Sequence, residues 1–107
     1  MSSSLAHNST KSQAELGLTV DLIEILRAHP SGLRRWSVMR AMRSRHEAAG
    51  RSIPQKFEDD IERVFRRMSS GEDQQAVFYR PAERAGEVWA LHTEHADVWL
   101  HEEGMAA

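Results

Sequence analysis

The chain has no cysteine among its 107 residues, which excludes disulfides, thiolate catalysis and cysteine-based zinc sites. It has no apolar run near the ~18 residues that a membrane-spanning helix needs. The opening stretch MSSSLAHNSTKS lacks the apolar segment of a secretory signal. Asn8-Ser9-Thr10 fits a glycosylation acceptor pattern, but without such a signal the pattern has no consequence, and a cytoplasmic location is expected. There is no phosphate-binding glycine loop, no HExxH and no G-x-S-x-G elbow. A small helical domain also offers little room for a substrate pocket. No catalytic residue, cofactor or enzymatic activity is therefore expected, and no internal repeat is present.

What remains is ordinary globular composition, 40% hydrophobic and 28% charged, in a length that suits one domain. The net charge of −2 argues against nucleic acid until its distribution is considered. Residues 27–67 hold eleven Lys/Arg against five Asp/Glu, whereas residues 68–107 hold two against eight. A basic middle thus lies between acidic flanks, an asymmetry that the total conceals.

Residues 1–12, rich in Ser, Asn and Thr, read as a flexible tail. Ser12 and Glu15 have capping-box spacing, so a helix is expected from there to about Ala28, stopped by His29-Pro30-Ser31-Gly32. Leu33 follows that stop. A second helix over 35–48 turns Val38, Met39, Met42 and His46 inward, with Arg40, Arg43 and Arg45 on its other face. The third helix carries the clearest signal: Phe57, Ile61, Val64, Phe65 and Met68 form one apolar stripe. Pro54 suits its first turn and Ser69-Ser70-Gly71 its end. Residues 76–80 and 87–92, rich in β-branched and aromatic residues, read as two strands joined by a loop containing Pro81 and Gly86. Phe57, Phe65, Phe78 and Trp89 are expected in the core. The fold class is α+β and mostly helical, a three-helix core followed by a two-stranded hairpin. The domain is bounded at 13–94, and an acidic C-terminal tail over 95–107 is either free or docked through Val98, Trp99 and Leu100.

Gly32-Leu33 before the second helix, Ile53-Pro54 before the third, then Val77-Phe78-Tyr79-Arg80 and Glu87-Val88-Trp89-Ala90-Leu91 carry a resemblance. Together they look like the winged helix-turn-helix group and are similar to its HARE-HTH type, over about Val20 to His92. The resemblance implies that Leu33, in the short extended position before the second helix, pairs with the wing. It also implies DNA binding or assembly within transcription or chromosome machinery, and no enzymatic activity. Because one fold serves many functions, two readings stay open. In the first, the chain is a transcriptional regulator that binds double-stranded DNA mainly through phosphates. Its candidate contacts are Arg34, Arg35, Arg40, Arg43, Arg51, Lys56, Arg63 and Arg66, with Arg80 and Arg84 on the wing, since arginine meets phosphate or guanine with two parallel hydrogen bonds.

In the second reading the chain binds protein, as a homodimer or with another partner, and does not bind DNA. Its candidate anchors are Trp36 and Trp99, because Trp and Arg are enriched at interface hot spots. The third helix favours this reading. Asp59–Arg63 and Glu62–Arg66 have i,i+4 spacing in the favourable acid-first order, and Glu58, Asp59 and Asp60 near its start would repel phosphate. His92, His95 and His101 with Glu94 and Glu102 suggest a metal, but such spacing in an expected tail supplies no rigid ligand set. No metal site is expected.

Overall fold

The computed structural model describes the backbone of residues 2–69, 76–82 and 85–103, and the side chains of these from residue 13 onward. The order is α1 (Ser2–Arg27), β1 (Leu33–Arg34), α2 (Arg35–Ala48), α3 (Phe57–Arg67), β2 (Phe78–Tyr79), β3 (Val88–Leu91) and α4 (Thr93–Glu102). The class is α+β and mostly helical, with helices packed on a small antiparallel sheet of order β1-β3-β2.

The inward faces follow the apolar spacing. Leu22, Ile23 and Leu26 of α1, Val38 and Met42 of α2, and Ile61, Val64 and Phe65 of α3 are all essentially inaccessible to water. Each such burial stabilises the fold by about 1.5–3 kcal/mol. The four aromatic residues expected in the core are there. Phe65 stacks on Trp89 at 3.9 Å between ring centroids and on Phe78 at 5.4 Å, which fastens α3 to the sheet.

The turns are set by local chemistry. Gly32 adopts φ +96° and turns the chain into β1, where Leu33 pairs with Trp89 and Arg34 with Val88. The expected pairing of Leu33 with the hairpin is thus present. Gly50, at φ +70°, closes α2 while the Arg51 N–H donates to the His46 carbonyl at 2.8 Å, satisfying an orphan acceptor of the last turn. The Met68 carbonyl, just past α3, accepts the Val77 N–H at 2.8 Å and leads the chain into the hairpin.

Four expectations need correction. Helix α1 runs through Ser12 from Ser2, so the capping box does not start it. Once the packed Leu18–Leu26 stretch exists, each added residue gains a bond without a new nucleus. Helix α3 begins at Phe57, not near Pro54, whose carbonyl accepts the Phe57 N–H at 3.0 Å in a preceding turn. The strands are shorter than expected, two and four residues. Finally, the acidic segment after His92 is a helix as far as Glu102, and of its two expected states it takes the docked one, through Trp99 and Leu100 but not Val98, which is exposed. Ala96 is fully buried, Trp99 and Leu100 pack on the core, and Asp97 accepts Arg27 Nη2 at 2.9 Å.

Candidate nucleic-acid interface

Nine of the ten basic candidates lie in the described residues, and the fold sorts them into three places. Arg84 lies outside the described residues.

The first group surrounds the hairpin. Arg34 ends β1 opposite Val88, and Gly86 at φ +79° leaves room for its guanidinium, which a Cβ there would approach to 3.4 Å. The Arg35 backbone N–H donates to the Glu87 carbonyl at 2.9 Å. The Glu87 carboxylate in turn accepts Arg80 Nη2 at 2.9 Å and Trp89 Nε1 at 3.4 Å. The Arg35 side chain reaches across to α3, where Glu62 Oε1 accepts it at 3.1 Å. The same carboxylate accepts Arg66 Nη2 through Oε2 at 3.1 Å. Arg66 and Arg80 then line one open hollow with Ser69 and Tyr79. Arg34, Arg35, Arg66 and Arg80, drawn from β1, α2, α3 and the end of β2, therefore form one continuous ribbon threaded by Glu62 and Glu87. Arg63 lies beside it on α3, paired with Asp60 at 3.3 Å. The expected partner was Asp59, but residues three apart share a helix face as readily as residues four apart.

The second group is the outer stripe of α2. The Arg40 guanidinium carbon sits 5.0 Å over the Trp36 ring, and Arg43 donates to Glu58 at 3.3 Å. Trp36 is 58% exposed. Trp99, the other candidate anchor, is half-buried against the core and has no such exposure.

The third group is distant. Arg51 follows the far end of α2, roughly 20 Å from Arg35 at 1.5 Å per residue, and Lys56 precedes the far end of α3. Arg51 donates to Asp21 Oδ2 at 3.3 Å, whereas Lys56 has no carboxylate partner among the described residues.

Sequence reasoning missed the carboxylates that hold these arginines. Glu62 was visible as the partner of Arg66, but its second bond to Arg35 depends on how two helices cross. Asp21 was also missed. Its side chain is only 8% exposed, yet it faces Arg45 Nε at 3.4 Å, Arg51 Nη2 at 3.3 Å and His46 Nε2 at 3.6 Å. The signal was an acid on the inward stripe of α1, between Leu18 and Ile25.

Around the start of α4, Tyr79 stacks on His92 at 4.2 Å between centroids, and His92 lies 5.0 Å from His95. His95 Nδ1 lies 2.7 Å from the Ala76 carbonyl oxygen, which can only accept, so that nitrogen carries the proton. Burial, and secondarily the neighbouring His95, lower the His92 pKa from its ordinary value. Among the described residues no three His, Asp or Glu side chains gather as a metal site would require. No helix among them is long and apolar enough to cross a membrane.

No protein-family model, curated protein or solved structure matches the chain.

Proposed function

We propose that the chain is a small winged-helix protein that binds duplex DNA through its phosphates, in the role of a transcriptional regulator. The observation that carries this reading is the ribbon of Arg34, Arg35, Arg66 and Arg80, which converge from four separate elements on one surface. The element order supports it too: helix, short strand, helix, helix and hairpin, with the first strand beside the last.

In the free protein Glu62 and Glu87 hold three of these arginines by the bonds that phosphate oxygens would make. Guanidinium meets carboxylate and phosphate with the same planar fork, so a DNA backbone exchanges one acceptor for another without rebuilding the surface. Reading of bases by α3 is a weaker match. A recognition helix contacts bases through its N-terminal residues, and α3 opens with Glu58, Asp59 and Asp60. Those acids stabilise the helix dipole and repel phosphate. Binding is therefore mainly electrostatic and positional, with limited base discrimination.

The test is fluorescence anisotropy on a labelled duplex with the Arg66→Ala/Arg80→Ala variant. Affinity falls, and the salt slope becomes shallower by about one for each of the two arginines that no longer meets a phosphate. Unchanged binding by this variant removes the ribbon as the DNA surface. Absence of binding by the unaltered chain leaves the protein-binding reading.

A further inference from the structure

The described residues expose two large hydrophobic side chains, Trp36 at 58% and Val98 at 46%. They lie on different helices and in opposite electrostatic settings. Trp36 opens the outer stripe of α2, with Arg40 one turn on and stacked over its ring at 5.0 Å. Arg40 has no carboxylate partner among the described residues, and Arg34 near the same helix end has none either. The Trp36 face thus joins an exposed ring to positive charge that has no carboxylate partner among the described residues, with the Arg43–Glu58 pair beside it.

Helix α4 has the inverse arrangement. Its inner face is occupied, because Ala96, Trp99 and Leu100 pack on the core and Asp97 is bonded to Arg27. Its outer stripe is Glu94, Val98 and Glu102, spaced four apart and therefore aligned on one side of the helix. All three are exposed, and neither glutamate forms an ion pair among the described residues. Val98 is an apolar centre between two unpaired negative charges.

We propose that the chain self-associates by setting the Trp36–Arg40 stripe of one copy against the Glu94–Val98–Glu102 stripe of another. The occupant of each stripe is assigned by complementarity: each presents an exposed apolar side chain flanked by charge of the sign opposite to the other's. In a two-fold dimer the contact is made twice, since each copy contributes both stripes. Tryptophan with arginine at the centre supplies the residue types that dominate interface energetics. The Trp36–Arg40 stripe borders the arginine ribbon, since Arg35 lines the same hollow as Trp36 and Arg40, so the association is tested on the chain without DNA. If DNA does bind, pairing presents two ribbons to one duplex.

Sedimentation velocity of the full chain, from low micromolar to near-millimolar concentration, tests this directly. A concentration-dependent dimer is expected, together with monomers for Trp36→Ala, for Arg40→Glu and for the double variant Glu94→Lys/Glu102→Lys. All these positions are exposed, and circular dichroism checks that each variant remains folded. Mixing Arg40→Glu with Glu94→Lys/Glu102→Lys restores the dimer, because the mixed pair has opposite charges at both contacts. A monomer across the whole range, or dimers that survive Trp36→Ala and both charge reversals, overturns the proposal. A mixture that stays monomeric overturns the assigned pairing of the stripes.

Discussion

Arg35 of α2 and Glu62 of α3 are joined at 3.1 Å across the helix–helix crossing, and Glu62 passes its second oxygen to Arg66 at the same distance. One carboxylate thus draws two arginines from different helices onto one surface. It also occupies them, which bears directly on how tightly that surface takes phosphate.

Replacing Glu62 by Gln removes a negative charge from the ribbon and one of its two acceptor oxygens, which releases one guanidinium group and leaves the other a neutral, weaker acceptor. Glu62 is half-buried and its arginine partners are partly or largely exposed, so each pair is worth about 0.2–1 kcal/mol, the range of solvent-screened pairs. Duplex affinity is therefore expected to rise by up to about tenfold at low salt, with little change in stability. Anisotropy on the same duplex reads the change. Weaker binding by Glu62→Gln would mean that the carboxylate positions the arginines productively and does not compete with the phosphates.

Asp21 is the buried counterpart of this arrangement, with Arg45, Arg51 and His46 all within 3.6 Å. Asp21→Asn keeps the shape and removes the charge. The two arginines are 40% and 44% exposed, so water partly takes over from the missing carboxylate. The expected destabilisation is about 2–3 kcal/mol, toward the lower end of what breaking a buried pair costs. Urea unfolding measures it as a lower midpoint at unchanged slope.

The apolar framework was legible in the sequence because it is a matter of spacing. The stripe from Phe57 to Phe65, the inward set of Val38, Met39, Met42 and His46, and the core aromatics all lie where periodicity puts them. The pairing of Leu33 with β3 was anticipated only through the winged-helix resemblance, since strand partners distant in sequence are not encoded by any local pattern. Helix α4 was not legible, because its three packed residues in an acidic segment give too little apolar repetition to distinguish a docked helix from a tail. The cross-helix ion pairs Arg35–Glu62, Arg43–Glu58 and Arg45–Asp21 were not legible either. Each depends on the crossing of two elements, which no local pattern encodes.

Two glycines separate local from tertiary constraint. A Cβ at Gly32 would lie 2.6 Å from Val88 Cγ1 and 3.1 Å from the Trp89 carbonyl oxygen, at a φ of +96°. Gly32→Ala is expected to cost about 1–3 kcal/mol and to loosen β1 from β3. Gly17, inside α1, has nothing within 4 Å of that position. Gly17→Ala should therefore stabilise the helix by about 0.5–1 kcal/mol. Thermal melts of the two variants are predicted to move in opposite directions.

His92 gives the fold a pH dependence of defined sign. Its pKa in the folded chain is lowered below the ordinary 6.5, first by burial and then by His95, so the unfolded chain binds the proton more readily. The stability that this provides is complete above about pH 6.5 and is lost as pH falls through the lowered folded value. The melting temperature is expected to drop between neutral and mildly acidic pH, and less steeply for His92→Gln. An equal drop in that variant would assign the effect to other groups.

Whether the arginine ribbon is a phosphate surface is decided by the affinity of the unaltered chain for a mixed-sequence duplex, titrated with salt from low to physiological concentration. Measurable binding is expected at low salt, with a linear fall of log affinity with log salt at about −0.9 for each phosphate neutralised. Binding that is absent at low salt, or indifferent to salt, would rule out a phosphate surface on this ribbon.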